Sequence, residues 1–286
     1  MVEGKTCLIT GATDGIGKET ALSLAKQGAK IIIVGRNQKK CENVVSEIIH
    51  LTQNNQVEFL LADLSLMREV NGLAERIMYG YRHLDILINN VGAFFRKKEL
   101  TEEGLERTFA LNHLSYFLLT HKLLPLLEHS KTARIVNVAS IAHIRTDMNF
   151  DNLNGEKNWS WYGGGWNAYC CSKLANIMFT YHLSKKLEGK QITANCLHPG
   201  FVASKFGDNN GLFSRSIIKT AKFFGAIGVK KGSETSTYLA SSDEVEGISG
   251  KYFASCSAQK SSKQSHNEKD IEKLWSISEE YTSEYL

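Results

Sequence analysis

Tyr169 and Lys173 lie four residues apart in the run Tyr169, Cys170, Cys171, Ser172, Lys173, and on a helix that spacing sets a phenol beside an ammonium. Such a pair is an acid/base device. A free phenol titrates near ~10, so proton transfer near neutrality requires its anion to be stabilised by roughly 4 kcal/mol. Two opposite charges about 4 Å apart attract by roughly 4 kcal/mol at an effective dielectric of 20, and by only about 1 kcal/mol in bulk water. The pair therefore needs a dry site; on a solvated face it would be an ordinary surface pair. Cys170 and Cys171 point to other helix faces at this spacing and are read as packing residues. His198, just before Pro199, has no partner legible in the sequence and is read as structural.

A second chemical feature is Thr10, Gly11, Ala12, Thr13, Asp14, Gly15, Ile16, Gly17, where a buried strand gives way to a helix. Glycines there let the backbone come close to a pyrophosphate at the positive helix end. The spacing departs from the GxGxxG dinucleotide pattern, so by itself the stretch fits either a phosphate cradle or a tight turn. Dinucleotide sites that prefer NAD place an acid after the second strand, but here the residues are Gly35, Arg36, Asn37. Arg36 can grip a 2′-phosphate with paired donors and Lys18 can add charge at the helix start, which favours NADP(H) over NAD(H). The alternative for Arg36 is a solvated surface arginine. Asp63, followed by Leu64 after the third strand, can accept from an adenine amino group, cap the helix starting near Leu66, or do both.

The elements that must position these residues alternate along the chain. Strand-like runs fall at Thr6 to Thr10, Lys30 to Val34, Val57 to Leu61, Leu84 to Ile88, Arg134 to Val138, Ile192 to Leu197 and Lys251 to Phe253. Helix-length segments separate them, including Lys18 to Gln27, Gln38 to Leu51, Leu66 to Tyr79 and Thr101 to Leu127. This order predicts a single-domain α/β fold, a doubly wound parallel sheet of about seven strands with helices on both faces. With 286 residues, 42% of them hydrophobic, and two prolines, one large domain over 1–254 is expected. A mobile Ser/Lys-rich segment and a C-terminal helix with Ile271, Leu274, Trp275 and Ser278 on one face are expected over 255–286. A net charge of +4 leaves no nucleic-acid footprint. Six cysteines without zinc or disulfide spacing point to a reducing compartment and no metal site. No apolar run is long enough to span a bilayer, and a cytoplasmic location is expected.

Further motifs recur in order at the strand ends: Asn89, Asn90, Val91, Gly92; Asn112; Ser140 closing Val136, Asn137, Val138, Ala139; and Pro199, Gly200, Phe201, Val202, Ala203, Ser204. Together with the glycine turn and the Tyr169/Lys173 pair, they make the sequence resemble the short-chain dehydrogenase/reductase family over Lys5 to Phe253. Val91 stands where the family often has alanine, and Ser204 where it often has threonine, which keeps the hydroxyl. The wording of Gly15 to Thr20, Asn152 to Lys157 and Ser172 to Asn176 is similar to the retinol-dehydrogenase-like branch. The membrane anchor that animal members often carry before the glycine turn does not precede it here, which weakens any transfer of membrane location or of retinoids as substrate.

The resemblance implies roles. Tyr169 would exchange a proton with a substrate carbonyl or alcohol oxygen, Ser140 would hydrogen-bond that oxygen, and Lys173 would lower the phenol pKa and bind the nicotinamide ribose. Asn112 would hold a water that relays protons. The cofactor would lie on Gly11, Thr13, Asp14, Gly15, Ile16, Gly17, Arg36, Asn37, Asp63, Leu64, Asn90, Tyr169, Lys173, Pro199, Gly200, Val202 and Ser204. Two segments remain for substrate: 141–168, rich in Trp159, Trp161, Tyr162, Gly163, Gly164, Gly165 and Trp166, and 205–229, a basic amphipathic stretch expected to close as a lid or to rest on a membrane surface. The expectation is NADP(H)-dependent hydride transfer on an apolar aldehyde, ketone or alcohol, with pairing into a dimer or tetramer through the helices of Asn112 and Tyr169. The competing class is a non-catalytic NADP-binding regulator on the same fold, which has no evident need of Asn112, Ser140, Tyr169 and Lys173 together.

Overall fold

A computed structural model describes residues 2–157, 159, 163–202 and 228–286. Alternation of strand and helix holds through β1 (Thr6–Thr10), α1 (Gly15–Ala25), β2 (Lys30–Gly35), α2 (Gln38–Thr52), β3 (Val57–Leu61), α3 (Met67–Gly80) and β4 (Ile86–Asn89). A short helical turn, α4 (Arg107–Phe109), leads to α5 (Ser115–Glu128), β5 (Ala133–Val138), α6 (Gly164–Lys186) and β6 (Ile192–His198). Beyond residue 227 come α7 (Val229–Ser241), β7 (Tyr252–Ala254), β8 (Ser257–Gln259) and α8 (Glu268–Thr282). The strands form one sheet in the order β3-β2-β1-β4-β5-β6-β7-β8, parallel except for β8, which pairs antiparallel with β7.

Alternate side chains of each strand feed opposite layers. Leu8, Ile32, Val34, Leu87 and Ile135 pack with α3, α5, α6 and α8, while Cys7, Ile9, Ile31, Ile33, Ile86 and Ile88 pack with α1, α2 and α7. The two-layer covering explains why the strands read as continuous apolar runs. The chain reverses between β1 and β4 in the sheet order, and that reversal opens a crevice at the carboxyl ends of the strands.

Two expectations change. The helix predicted over Thr101 to Leu127 is broken: Gly104 turns at φ 77°, Leu100 bridges Glu106, and the Glu106 carboxylate caps Thr108 and Phe109 before a π-helical turn at Ala110–Leu114. Capping and the wide turn are set by contacts that helical periodicity does not report. The 255–266 stretch is organised as well. Ser255 and Cys256, at φ 50° and 59°, form the two-residue turn between β7 and β8, which makes the eighth strand, and Lys263–His266 forms a 3-10 turn.

Candidate active site

The crevice is a cleft of about 660 Å³. Its walls include Gly11, Thr13, Asp14, Gly15, Ile16, Gly17, Arg36, Asp63, Leu64, Asn90, Ser140, Tyr169, Lys173, Pro199, Gly200 and Val202, brought together from the ends of six strands and from α6. Ser204, Trp161, Tyr162 and the expected lid up to residue 227 lie outside the described residues.

Tertiary contacts explain the glycines. Gly11 holds φ 65°, and a Cβ there would stand 2.8 Å from Val91 Cα. A Cβ on Gly17 would stand 2.4 Å from Asn90 Nδ2, which donates to Thr10 O at 2.8 Å and Gly11 O at 3.2 Å. These two glycines thus seat the turn against the β4 loop. The Asp14 carboxylate accepts from Gly15 N–H at the start of α1. The resulting bare backbone surface at a helix N-terminus fits a pyrophosphate.

At the far end of the cleft Arg36 is joined by Lys40, which periodicity did not single out; it lies four residues on, in the first turn of α2. Arg36 Nη1 is 3.9 Å from Asp63 Oδ2. Asp63 also accepts from Ser65 N–H and Oγ–H at 3.0 and 2.7 Å, so it turns the chain toward α3 while lining the cleft. Two residues are used otherwise than expected. Lys18 pairs with Glu47 of α2 at 2.6 Å, and Asn37 caps α2 by accepting from Lys40 N–H at 3.0 Å, outside the cleft wall. Lys18 thus ties α1 to α2, and Asn37 starts α2.

In the middle of the cleft α6 delivers Tyr169 and Lys173. Residues Tyr169 to Thr180 are buried without interruption, since the helix is enclosed by the sheet, α5 and α8. Tyr169 is 7% and Lys173 3% exposed, the dry site that the electrostatics require. Dryness acts on both groups. Burial pushes the Tyr169 phenol up to about 12, against a lowering hydrogen bond with Ser140, and burial pulls Lys173 down to about 7. Lys173 Nζ donates to Val138 O at 2.8 Å and lies 5.9 Å from the Tyr169 ring centroid. Burial is thus the largest influence on both groups, and the lysine is anchored to a carbonyl. Gly92 leaves room for it, since a Cβ there would stand 3.1 Å from Nζ.

Ser140 follows β5 as the N-cap of a 3-10 turn and accepts from Ala142 N–H at 3.2 Å. Asn112, in the π-helical turn, sits behind the cleft wall: its Oδ1 accepts from Ala93 N–H at 2.9 Å and its Nδ2 donates to Ala93 O and Ser172 Oγ, both at 3.0 Å. Its backbone carbonyl accepts from Asn176 Nδ2 at 2.8 Å. Of the aromatic loop, Trp166 lines the cleft, its ring 5.4 Å from Tyr169 and 5.9 Å from Phe94. Trp159 instead covers Gly155 and Gly164 and lines a separate small cavity. Phe201 of the Pro199 to Ser204 motif also lines the cleft, as do Phe95, Leu111 and Arg145, which carried no sequence signal of their own. Among the described residues no cluster of His, Cys, Asp and Glu suits a metal, and no helix is long and apolar enough to cross a membrane.

A family model described as short chain dehydrogenase matches residues 5–151 and 158–212. The chain belongs to the short-chain dehydrogenase family. Mouse retinol dehydrogenase 12 is 40% identical over 278 residues, covering 97% of this chain and 86% of that protein. Among solved structures, an uncharacterised protein from Mycobacterium paratuberculosis superposes with a TM-score of 0.78 at 30% identity, over 98% of this chain and 94% of that one. A Pseudomonas aeruginosa RhlG/NADP active-site complex superposes with a TM-score of 0.68 at 26% identity, over 88% and 94%. The chain is thus a retinol-dehydrogenase-like short-chain dehydrogenase, an oxidoreductase of a family that binds a nicotinamide cofactor.

Proposed function

We propose that this short-chain dehydrogenase uses NADP(H) to interconvert an apolar aldehyde or ketone and its alcohol, with Tyr169 as the proton donor and acceptor. The observation that carries the reading is the Ser140–Tyr169 hydrogen bond in mid-cleft, with Tyr169 and the neighbouring Lys173 both buried. When bound, the nicotinamide supplies or accepts the hydride. Arg36 and Lys40 would hold a 2′-phosphate, and Gly11 to Gly17, Asp63, Leu64 and Asn90 the rest of the dinucleotide.

The chain's own residues divide the remaining work. Tyr169, neutral because it is buried, gives its proton to the carbonyl oxygen as negative charge develops there. The Ser140 hydroxyl donates to the same oxygen. Lys173, titrating at about 7, is able to return a proton to Tyr169. Asn112 serves by position, because both ends of its amide grip Ala93 and Ser172; a water relay would start from its backbone carbonyl. Ile141, Trp166 and Phe201 are 45%, 43% and 60% exposed at the cleft mouth, a surface suited to a lipophilic substrate. The retinol dehydrogenase name of the 40% identical mouse relative agrees with that chemistry.

Oxidation of NADPH, followed spectroscopically against aldehydes from short and polar to retinaldehyde, tests the reading. Turnover is expected to rise with apolar size, and Tyr169→Phe to lower kcat by about 10²–10⁴-fold while NADPH still binds. An unchanged rate in Tyr169→Phe overturns the mechanism. Tight NADPH binding without turnover of any aldehyde would favour a non-catalytic binding protein.

A further inference from the structure

Contacts converge on the peptide group that joins Ser140 to Ile141. Its carbonyl oxygen lies 2.7 Å from His143 Nδ1 and accepts from His143 N–H at 3.2 Å, while its N–H donates to His198 Nδ1 at 3.1 Å. One peptide group is therefore held at both ends by imidazoles. Sheet pairing alone does not provide this. Ala139 N–H still donates to Leu197 O at 2.8 Å, but β6 ends at His198 and the chain turns away at Pro199. The Ile141 N–H, beyond the end of β5, takes the His198 side chain as its acceptor in place of a backbone carbonyl.

The hydrogen bonds also determine the tautomers. A carbonyl oxygen only accepts, so His143 carries its proton on Nδ1, and its Nε2 accepts from Ser262 N–H at 3.0 Å. His198 is the reverse, with a bare Nδ1 facing the Ile141 N–H and its proton on Nε2. His143 is 1% exposed and packs 5.2 Å from the Tyr252 ring. Burial holds both imidazoles below the ordinary histidine range, with His143 adding to the effect at His198.

We propose that His143 and His198 are positioning residues that clamp the Ser140–Ile141 peptide and so aim the Ser140 hydroxyl at Tyr169 and the substrate oxygen. The inference rests on the reading of Ser140 given above. It adds that the serine's placement is set by two histidines outside the catalytic group, and that the 255–266 segment reaches the site through Ser262. A hydroxyl misplaced by a fraction of an ångström loses much of its effect on the reacting oxygen.

A double-mutant cycle on the aldehyde turned over fastest tests the clamp. His198→Leu and His143→Phe are each expected to lower kcat by about 10-fold or more, with KM and NADPH affinity changed less than about 3-fold. In a Ser140→Ala background the same changes are expected to lower kcat by less than about 2-fold, because the group they aim is gone. His198→Asn, which keeps an acceptor near the Nδ1 position, is expected to recover most of the loss. Full additivity with Ser140→Ala, or no recovery in His198→Asn, overturns the proposal. Side-chain ¹⁵N NMR of the unaltered protein reads the clamp without turnover and serves if the larger substitutions unfold the chain. The expected result is His143 as the Nδ1–H and His198 as the Nε2–H tautomer; the same tautomer at both sites overturns it. A Ser140→Ala protein with an undiminished rate would instead sink the functional reading, and the purpose of the clamp with it.

Discussion

Lys173 is a residue that folding penalises and chemistry requires. Burial takes it from 10.5 to about 7, and each tenfold change in proton affinity is worth about 1.4 kcal/mol, so its neutral state at pH 7 carries a penalty on the order of 4–5 kcal/mol. Between about pH 7 and 10.5 the unfolded chain holds this proton and the native chain does not, so this group makes the native state gain stability as pH rises across that window. Lys173→Met is expected to be inactive yet more stable at pH 7 by about 1–2 kcal/mol, the lost bond to Val138 O offsetting part of the relief. Urea unfolding at pH 7 and pH 10 checks this: the gain shrinks at the higher pH, and a variant destabilised equally at both refutes it. Tyr169 sets a second dependence. With the phenol held up to about 12, the proton-donating form persists to alkaline pH, so alcohol oxidation is expected to climb with pH across a range where carbonyl reduction does not. At the other end of the cleft, Arg36→Glu is expected to weaken NADPH by about 10–100-fold and NADH by less than about 3-fold, read by fluorescence titration. Equal losses would remove Arg36 from phosphate binding.

At the scale of elements, α6 is the part whose placement decides activity. Gly165 in its first turn is buried against the loop after β4, where a Cβ would stand 2.1 Å from Phe95 O and 3.0 Å from Arg96 Cα. Backbone cannot yield as a side chain can. Gly165→Ala is expected to destabilise the protein by about 1–3 kcal/mol and to lower kcat as well, because Trp166 and Tyr169 follow on the same helix. Thermal unfolding with steady-state kinetics checks it; loss of stability at full kcat would show that α6 tolerates the shift. The 3.6-residue period of α6 was legible, and so was the Tyr169–Lys173 spacing. The break in the predicted Thr101 to Leu127 helix was not, because it is held by partners distant in sequence: Glu106 N–H donates to Asn154 Oδ1, Ala93 N–H to Asn112 Oδ1 and Asn176 Nδ2 to Asn112 O.

Across the whole molecule, α8 closes the groove between α5 and α6. Trp275 is 6% exposed, with its ring 5.1 Å from Phe117, 4.9 Å from His121, 5.9 Å from Phe179 and 4.4 Å from His182. Lys122 Nζ donates to Tyr285 O at 2.9 Å, and His113 Nε2 lies 2.9 Å from Ser278 Oγ. The apolar face of Ile271, Leu274 and Trp275 docks on the body. Trp275→Ala is expected to lower stability by about 3–5 kcal/mol, measured by denaturant unfolding. The dimer or tetramer expected from the resemblance is tested by sedimentation, with Trp275→Ala as a check on whether α8 takes part in it.

The sequence by itself determined what local rules govern. Strand positions follow from short β-branched runs, the doubly wound fold from their alternation with helices, and the glycine turn and Tyr169–Lys173 pair from fixed spacings. Tertiary structure decided everything that depends on which distant groups meet. It brought Lys40 beside Arg36, took Lys18 and Asn37 away, and set His143 and His198 on the Ser140–Ile141 peptide. It also pushed the Tyr169 phenol up and the Lys173 ammonium down, because desolvation is a property of the enclosing core and not of the spacing between two residues.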